Sequence, residues 1–323
     1  MGIIRARIAG TGSFAPEKIL TNKDLEKMVD TTDEWIKTRT GMSERHISDD
    51  LTATSDLATE AAKRALADAG VTPEELDLIV IGTVTPDKSF PSTACFVQNN
   101  LGAVNAAAFD LSAACSGFIY GLTLVNSMMA SGQAKTALVI GAEALTKYVD
   151  WKDRATCVLF GDGSGAVVVK AEEDGRGVLS SYIWSDGSGT KPGLLEIPGG
   201  GTRDPKGSRF IVMGGNEVFK KAVKGMEKCV DEALKKAGLK YSDVSLFIPH
   251  QANLRIIDSL AKRMELPSEK VFVNLDKYGN TSSASIPIAM DEARRNGRIK
   301  KGDVVLIVAF GAGLTMGAAV IKW

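Results

Sequence analysis

The sequence predicts an α/β protein made of two homologous βαβ-type halves packed in layers, and three observations carry that prediction. Residues 61–82, AAKRALADAGVTPEELDLIVIG, align without a gap with residues 229–250, CVDEALKKAGLKYSDVSLFIPH, at an offset of 168 residues. Apolar runs rich in β-branched residues, TALVIGAEA (136–144) and VVLIVAFGAG (304–313), alternate with helical stretches, as strands covered on both faces do. The two halves also end alike, GSGAVVVK (163–170) resembling TMGAAVIK (315–322).

Each part of the repeat has a local reason. An amphipathic helix runs to an Ala-Gly pair, and Gly70 or Gly238 supplies the left-handed residue that ends it. A short acidic turn follows, then an apolar strand whose carboxyl end carries Gly82-Thr83 in one copy and Pro249-His250 in the other. The charged turn AEEDG (171–175) marks the boundary, so the expected domains are 1–173 and 174–323. The Gly/Pro/Ser-rich stretch 185–208 reads as loop rather than linker, because structured sequence resumes at once. Residues 111–134 carry no charge and are long enough to raise the question of a membrane span. Their interspersed small and hydroxyl residues fit a helix buried in an α/β core instead, so no membrane insertion is expected.

Composition removes several functions. Thirty-nine Lys+Arg balance 39 Asp+Glu, leaving no global field to hold nucleic acid. Two His cannot build a multi-His metal cluster, and the four Cys, at 95, 115, 157 and 229, form no CxxC pair, so no metal site is expected. Free thiols in a reducing cytoplasm are the expectation. GTGSFA (10–15) fits a dinucleotide fingerprint, but Pro16 follows and no helix opens there. FGDGSGA (160–166) lacks both the basic residue and the spacing of a phosphate-binding loop.

Chemistry concentrates at three places. Cys115 lies where an apolar strand gives way to the uncharged helix, and unpaired N–H groups at a helix N-terminus favour the thiolate. A cysteine is also a common small buried hydrophobe. Cys95, Cys157 and Cys229 lack this context and read as packing residues. His250 ends an apolar strand, where ligands of α/β sheets gather, although a structural histidine fits there too. His46, in the charged run MSERHIS, reads as a surface-loop residue. Asn280 follows a glycine before a Ser/Thr run, as either a turn residue or a site residue. The glycine-rich turn FGAGLTMG (310–317) aims backbone N–H groups at a developing oxyanion.

Together the segments SAACSGF, PHQAN and GNTSSASIP resemble β-ketoacyl-[acyl-carrier-protein] synthase III, a condensing enzyme of thiolase-like fold. DTTDEWIKTRTGMSERHI (30–47), FGDGSGA and FGAGLTMGAAV follow the same family in the same order. The resemblance implies a catalytic Cys115, His250 and Asn280, with backbone N–H groups of Cys115 and Ala312 as the oxyanion hole. It implies that a short acyl-coenzyme A acylates Cys115, that malonyl-acyl carrier protein is then decarboxylated and condensed, and that no cofactor takes part. Elongating synthases on this scaffold use two His and thiolases a second Cys near the C-terminus, and neither pattern is present. Two alternatives stay open: a secondary-metabolite condensing or acyltransfer enzyme using malonyl-coenzyme A, and a non-catalytic acyl-carrier-binding protein.

The resemblance also implies a coenzyme A tunnel of Trp35, Arg39, Arg154, Gly214, Asn216, Phe219, Ala252 and Asn253. In it Trp35 and Arg154 sandwich the adenine, although Trp35 also reads as a helix core residue. Phe90 is expected to close the acyl pocket across a homodimer, and Lys220, Arg255, Lys262 and Arg263 to steer an acidic carrier protein. Ala312 stands where the family has glycine, and Leu314 and Met316 stand where it has large aromatics. The expectation is an acyl pocket of altered shape, with backbone donation intact.

Overall fold

The computed structural model describes residues 2–323. In chain order the elements are β1 (Arg5–Phe14), β2 (Ile19–Thr21), α1 (Asn22–Leu25), α2 (Asp33–Thr40), β3 (Glu44–His46), α3 (Thr54–Ala69), β4 (Leu78–Gly82), α4 (Thr93–Leu101), β5 (Ala107–Leu111), α5 (Gly117–Ala130), β6 (Thr136–Ala144), α6 (Arg154–Cys157) and β7 (Asp162–Glu172). There follow β8 (Gly177–Ser185), β9 (Leu195–Glu196), β10 (Val212–Met213), α7 (Gly215–Ala237), β11 (Leu246–Pro249), α8 (Leu254–Arg263), α9 (Leu275–Tyr278), α10 (Ser285–Arg295), β12 (Val304–Gly311) and β13 (Thr315–Lys322).

Two sheets organise the molecule, ordered β1-β7-β6-β4-β5 and β8-β13-β12-β11. The repeat governs both. β4 runs parallel to β6, which is antiparallel to β7, which is antiparallel to β1. β11, β12, β13 and β8 reproduce those relations. β5 extends the first sheet beside β4, whereas its place in the second is reduced to one bridge between Phe247 and Val271. The helix ends repeat as well, Gly70 and Gly238 capping α3 and α7 at φ 61° and 68°.

Strand periodicity explains the layers. Leu78 and Val80 of β4 face the centre with Leu246 and Ile248 of β11, packing on Phe118, Leu122 and Met129 of α5 and on Ala289 and Met290 of α10. Ile79 and Ile81 face outward onto the alanine-rich side of α3, and Leu306 and Val308 of β12 face α7 and α8. The order through the molecule is therefore helix, sheet, helix, sheet, helix.

Several expectations change here. α5 is buried on one side only, for Leu124 and Ser127 are exposed, and no helix is long and apolar enough to cross a membrane among the described residues. Thr123 and Ser127 on that outer side turn their hydroxyls back to the carbonyls of Ile119 and Thr123, which lets polar residues sit in a helix that reads as uncharged core. His46 is not on a loop: it is half-buried in β3, its ring stacked 5.4 Å from Tyr278. Cys157 and Cys229 are buried, but Cys95 is exposed on α4, which covers only part of its sheet face.

Candidate active site

The site lies where the strand ends of both sheets meet. Cys115 occupies a 3-10 turn, Ala114–Ser116, between β5 and α5, with Ala114 held at φ 47°. At the same 168-residue offset the chain forms a second such turn, Ser282–Ala284, leading into α10 with Ser282 at φ 50°. A left-handed non-glycine residue costs roughly 1 kcal/mol, so both turns need anchoring from outside. The first is anchored by β12 and β13. Thr315 Oγ1 donates to the Ala113 carbonyl at 2.7 Å and Ser116 Oγ to the Thr315 carbonyl at 3.1 Å. Gly311 lies so close that a Cβ there would stand 2.7 Å from the Cys115 nitrogen.

His250 extends from β11, its backbone N–H bonded to the Val308 carbonyl at 2.8 Å. Its Nδ1 lies 2.6 Å from Ser285 Oγ, which also accepts the Gln251 N–H at 3.4 Å. With that oxygen accepting from Gln251, the Ser285 hydroxyl is assigned as donor to Nδ1, which places the ring proton on Nε2. Burial pushes the His250 pKa down to about 3, so the imidazole is neutral. Asn280 is tied to the first half by its backbone, N–H to the Leu159 carbonyl at 2.8 Å and C=O to the Gly161 N–H at 3.1 Å. The glycine-rich FGDGSGA segment thus seats Asn280 rather than a phosphate. The Asn280 Oδ1 accepts the Ser282 N–H at 2.9 Å, leaving Nδ2 as the free donor of that carboxamide.

Cys115, His250, Asn280 and Ala312 all line one cavity of about 320 Å³. Its outer part is lined by Trp35, Arg39, Asn216, Phe219, Ala252, Asn253 and Arg255. Arg154 and Gly214 do not line it: Gly214 caps α7, and Arg154 lies over the Trp35 ring at 4.9 Å while donating to the Asp30 carbonyl. Arg39 also lies 4.8 Å from that ring, so a base could enter between Trp35 and Arg154 only if the guanidinium moved away. Phe90 stands outside this cavity, 84% exposed. Lys220, Arg255, Lys262 and Arg263 are all exposed on α7 and α8, with Arg255 over the Phe219 ring at the cavity and Arg263 paired to Glu227.

Electrostatics depart from the sequence expectation at the thiol. Burial pushes the Cys115 pKa up to about 12, the Ser282 hydroxyl pulling it down and Glu143 pushing it up further. The cavity-lining thiol is therefore neutral, because loss of hydration outweighs the hydrogen bonds that would favour the thiolate. Leu314 and Met316 are a further correction. Both are buried in the core against α7 and neither lines the cavity. Sequence reasoning missed the wall built from the loop-like stretch, where Leu195, Ile197, Ile211 and Met213 line the cavity. Their only signal was a few apolar residues amid glycines. It also missed Ser282, Ser285 and Glu143.

Comparison with known proteins agrees with this geometry. Residues 109–187 match the family model described as 3-Oxoacyl-[acyl-carrier-protein (ACP)] synthase III, and residues 234–323 match the model of its C-terminal part. The chain is 59% identical to the Beta-ketoacyl-[acyl-carrier-protein] synthase III of Caldanaerobacter subterraneus subsp. tengcongensis, over 99% of this chain and 98% of that one. It is 55% identical to the protein of the same name from Xanthomonas campestris pv. campestris, over 99% of each. The crystal structure of 3-oxoacyl-[acyl-carrier-protein] synthase III from Aquifex aeolicus VF5 superposes with a TM-score of 0.93 at 53% identity, covering 98% of this chain and 100% of that one. With both sheets, the Cys115 turn, the His250 strand end and the Asn280 segment falling within aligned sequence, the chain belongs to the β-ketoacyl-[acyl-carrier-protein] synthase III family of thiolase-fold condensing enzymes.

Proposed function

We propose that this protein is a 3-oxoacyl-[acyl-carrier-protein] synthase III, which condenses a short acyl-coenzyme A primer with malonyl-acyl carrier protein and so initiates type II fatty acid synthesis in the cytoplasm. The observation that carries the reading is the convergence of one thiol and two neutral hydrogen-bond donors in a single cavity, the thiol coming from residues 1–173 and the donors from residues 174–323.

In the first half-reaction Cys115 Sγ attacks the thioester carbonyl. The tetrahedral oxygen accepts from the backbone N–H groups of Cys115 and Ala312, and collapse expels coenzyme A, which takes up the proton the thiol gives up. In the second, malonyl-acyl carrier protein loses CO2. The enolate oxygen accepts from His250 Nε2–H and Asn280 Nδ2–H, both of which enter the step neutral and gain in strength as charge develops. The enolate carbon then attacks the acyl-Cys115 carbonyl, the C–C bond forms, the C–S bond breaks, and the thiolate is reprotonated. No step calls on a metal or redox cofactor.

Trp35, Arg39, Arg154, Gly214, Asn216, Phe219, Ala252 and Asn253 serve in this reading as the coenzyme A channel, with Arg154 swinging off Trp35 to admit the adenine. Lys220, Arg255, Lys262 and Arg263 steer the carrier protein to its mouth. β5 is an open sheet edge, and the exposed Phe90 lies close to it in sequence, which supports a homodimer in which Phe90 closes the partner's acyl pocket. Incubation with acyl-coenzyme A is expected to label Cys115, and Cys115→Ala to abolish both labelling and condensation; condensation by that variant would end the assignment. Offering malonyl-acyl carrier protein and malonyl-coenzyme A side by side tests the extender, and preference for the latter would move the enzyme to secondary metabolism.

A further inference from the structure

Glu143 is a buried carboxylate that the reaction above does not use. It ends β6 with no exposed surface, yet no cationic side chain pairs with it among the described residues. Five polar groups from two segments surround it instead. Oε2 accepts from Thr83 Oγ1 at 3.2 Å, the Val84 N–H at 3.1 Å and Thr85 Oγ1 at 2.7 Å. Oε1 lies 3.0 Å from both Ser282 Oγ and Ser283 Oγ; Ser283 gives its one proton to the Gly82 carbonyl at 2.7 Å, so its oxygen accepts from the Glu143 carboxyl, whose pKa burial pushes up. Burying a carboxyl group is costly, and an apolar residue would fill the same space more cheaply unless the oxygens have a task.

Their place in the fold defines one. Ser282 is the left-handed residue of its turn, and its backbone N–H is the donor that orients the Asn280 carboxamide. Glu143 grips that residue's side chain and its neighbour's from the opposite half of the molecule. We propose that Glu143 is a positioning residue for Asn280: by clamping Ser282 and Ser283 it aims the Asn280 Nδ2–H at the enolate formed when the malonyl group loses CO2. This rests on the donor role proposed for Asn280. Glu143 acts on decarboxylation and not on acyl transfer, because it holds the turn that orients Asn280, whereas the Cys115 turn is anchored separately through Thr315 and Ser116.

The two half-reactions separate the possibilities. In Glu143→Ala, CO2 release from malonyl-acyl carrier protein is expected to fall about 10- to 100-fold through kcat, with KM unchanged, as for a misaimed catalytic group. Acyl labelling of Cys115 holds. Glu143→Gln lies between wild type and Glu143→Ala, since the serine hydroxyls can turn to accept from the amide. On an Asn280→Ala background, Glu143→Ala is expected to cost nothing further, as coupled residues require. Equal slowing of both half-reactions, or a loss that multiplies in full on Asn280→Ala, overturns the proposal. If Glu143→Ala does not fold, Ser282→Gly removes one clamp while keeping the left-handed backbone open, and a wild-type decarboxylation rate in it overturns the proposal equally. Undiminished decarboxylation in Asn280→Ala alone would instead overturn the donor role of Asn280.

Discussion

The turns at Ala114–Ser116 and Ser282–Ala284 are one structure used twice, and what separates them lies across the interface. Each opens on a left-handed non-glycine residue, each leads into a central helix, and each packs on a strand end of the other half. Cys115 and Ser283 are counterparts at the 168-residue offset, as are Gly82 and His250, and Gly311 and Glu143. The Ser283 hydroxyl donates to the Gly82 carbonyl and its oxygen meets the Glu143 carboxyl, and so it is consumed in holding its own turn. Cys115 faces Gly311, which offers no side chain to bond, and shares its cavity with His250. One copy of the turn thus serves as anchor and the other, in the proposed reaction, as reaction centre, because a carboxyl side chain and a glycine have taken equivalent places.

The sharpest way to break this comparison is to move the thiol. Cys115→Ala combined with Ser283→Cys keeps one cysteine on one of the two turns, and condensation is expected to stay at least about 10³-fold below wild type. Covalent labelling with acyl-coenzyme A checks it, and acylation of the relocated thiol would show the turns to be interchangeable. Next in size, His250→Ala and Asn280→Ala are each expected to cost about 10²–10³ in kcat for decarboxylation, as loss of an oxyanion donor does, while Cys115 still becomes acylated. Partial-reaction kinetics measure this directly. Gly311→Ala tests the glycine half of the comparison. The added methyl meets the Cys115 nitrogen, and acyl transfer is expected to slow about 10²-fold as the turn is displaced.

A smaller effect concerns pH. His250 is held near 3 against an ordinary value of 6.5. As pH falls through that window the unfolded chain binds a proton that the folded protein refuses, so stability declines from below about 6.5 toward about 3. Denaturation midpoints across that range should fall less steeply in His250→Asn. Smallest is Lys262→Glu, expected to raise KM for the carrier protein about 3- to 10-fold at low salt and to leave acylation by acyl-coenzyme A unchanged. Lys262 is the cleaner choice because Arg263 is already paired to Glu227.

Much of this was legible in the residues themselves. The duplicated helix, glycine cap and strand, and the strand ends bearing His250 and Gly82, follow from local periodicity and capping, which act within one turn or one strand. The motifs around Cys115, His250 and Asn280 are likewise contiguous. Other readings failed for a common reason. β13 is apolar on both faces, so nothing in TMGAAVIK tells that Met316 turns toward α7 and away from the cavity. The stretch 185–208 is short of apolar residues, and the few within it and just after it that line the cavity, Leu195, Ile197, Ile211 and Met213, show no periodic pattern that would mark them.

What the sequence by itself determined is the duplicated α/β plan and the choice of one thiol, one imidazole and one carboxamide as the candidate reactive groups, since backbone propensity, hydrophobic period and motif are encoded within short segments. What only the tertiary structure decided is how those groups are held and charged. Glu143 meets Ser282 across 139 residues and Gly311 meets Cys115 across the same interface. Enclosure also reverses the expected ease of ionising the thiol. Hydrogen bonds and desolvation depend on which atoms are neighbours in space, and for these residues packing of the two halves alone sets that.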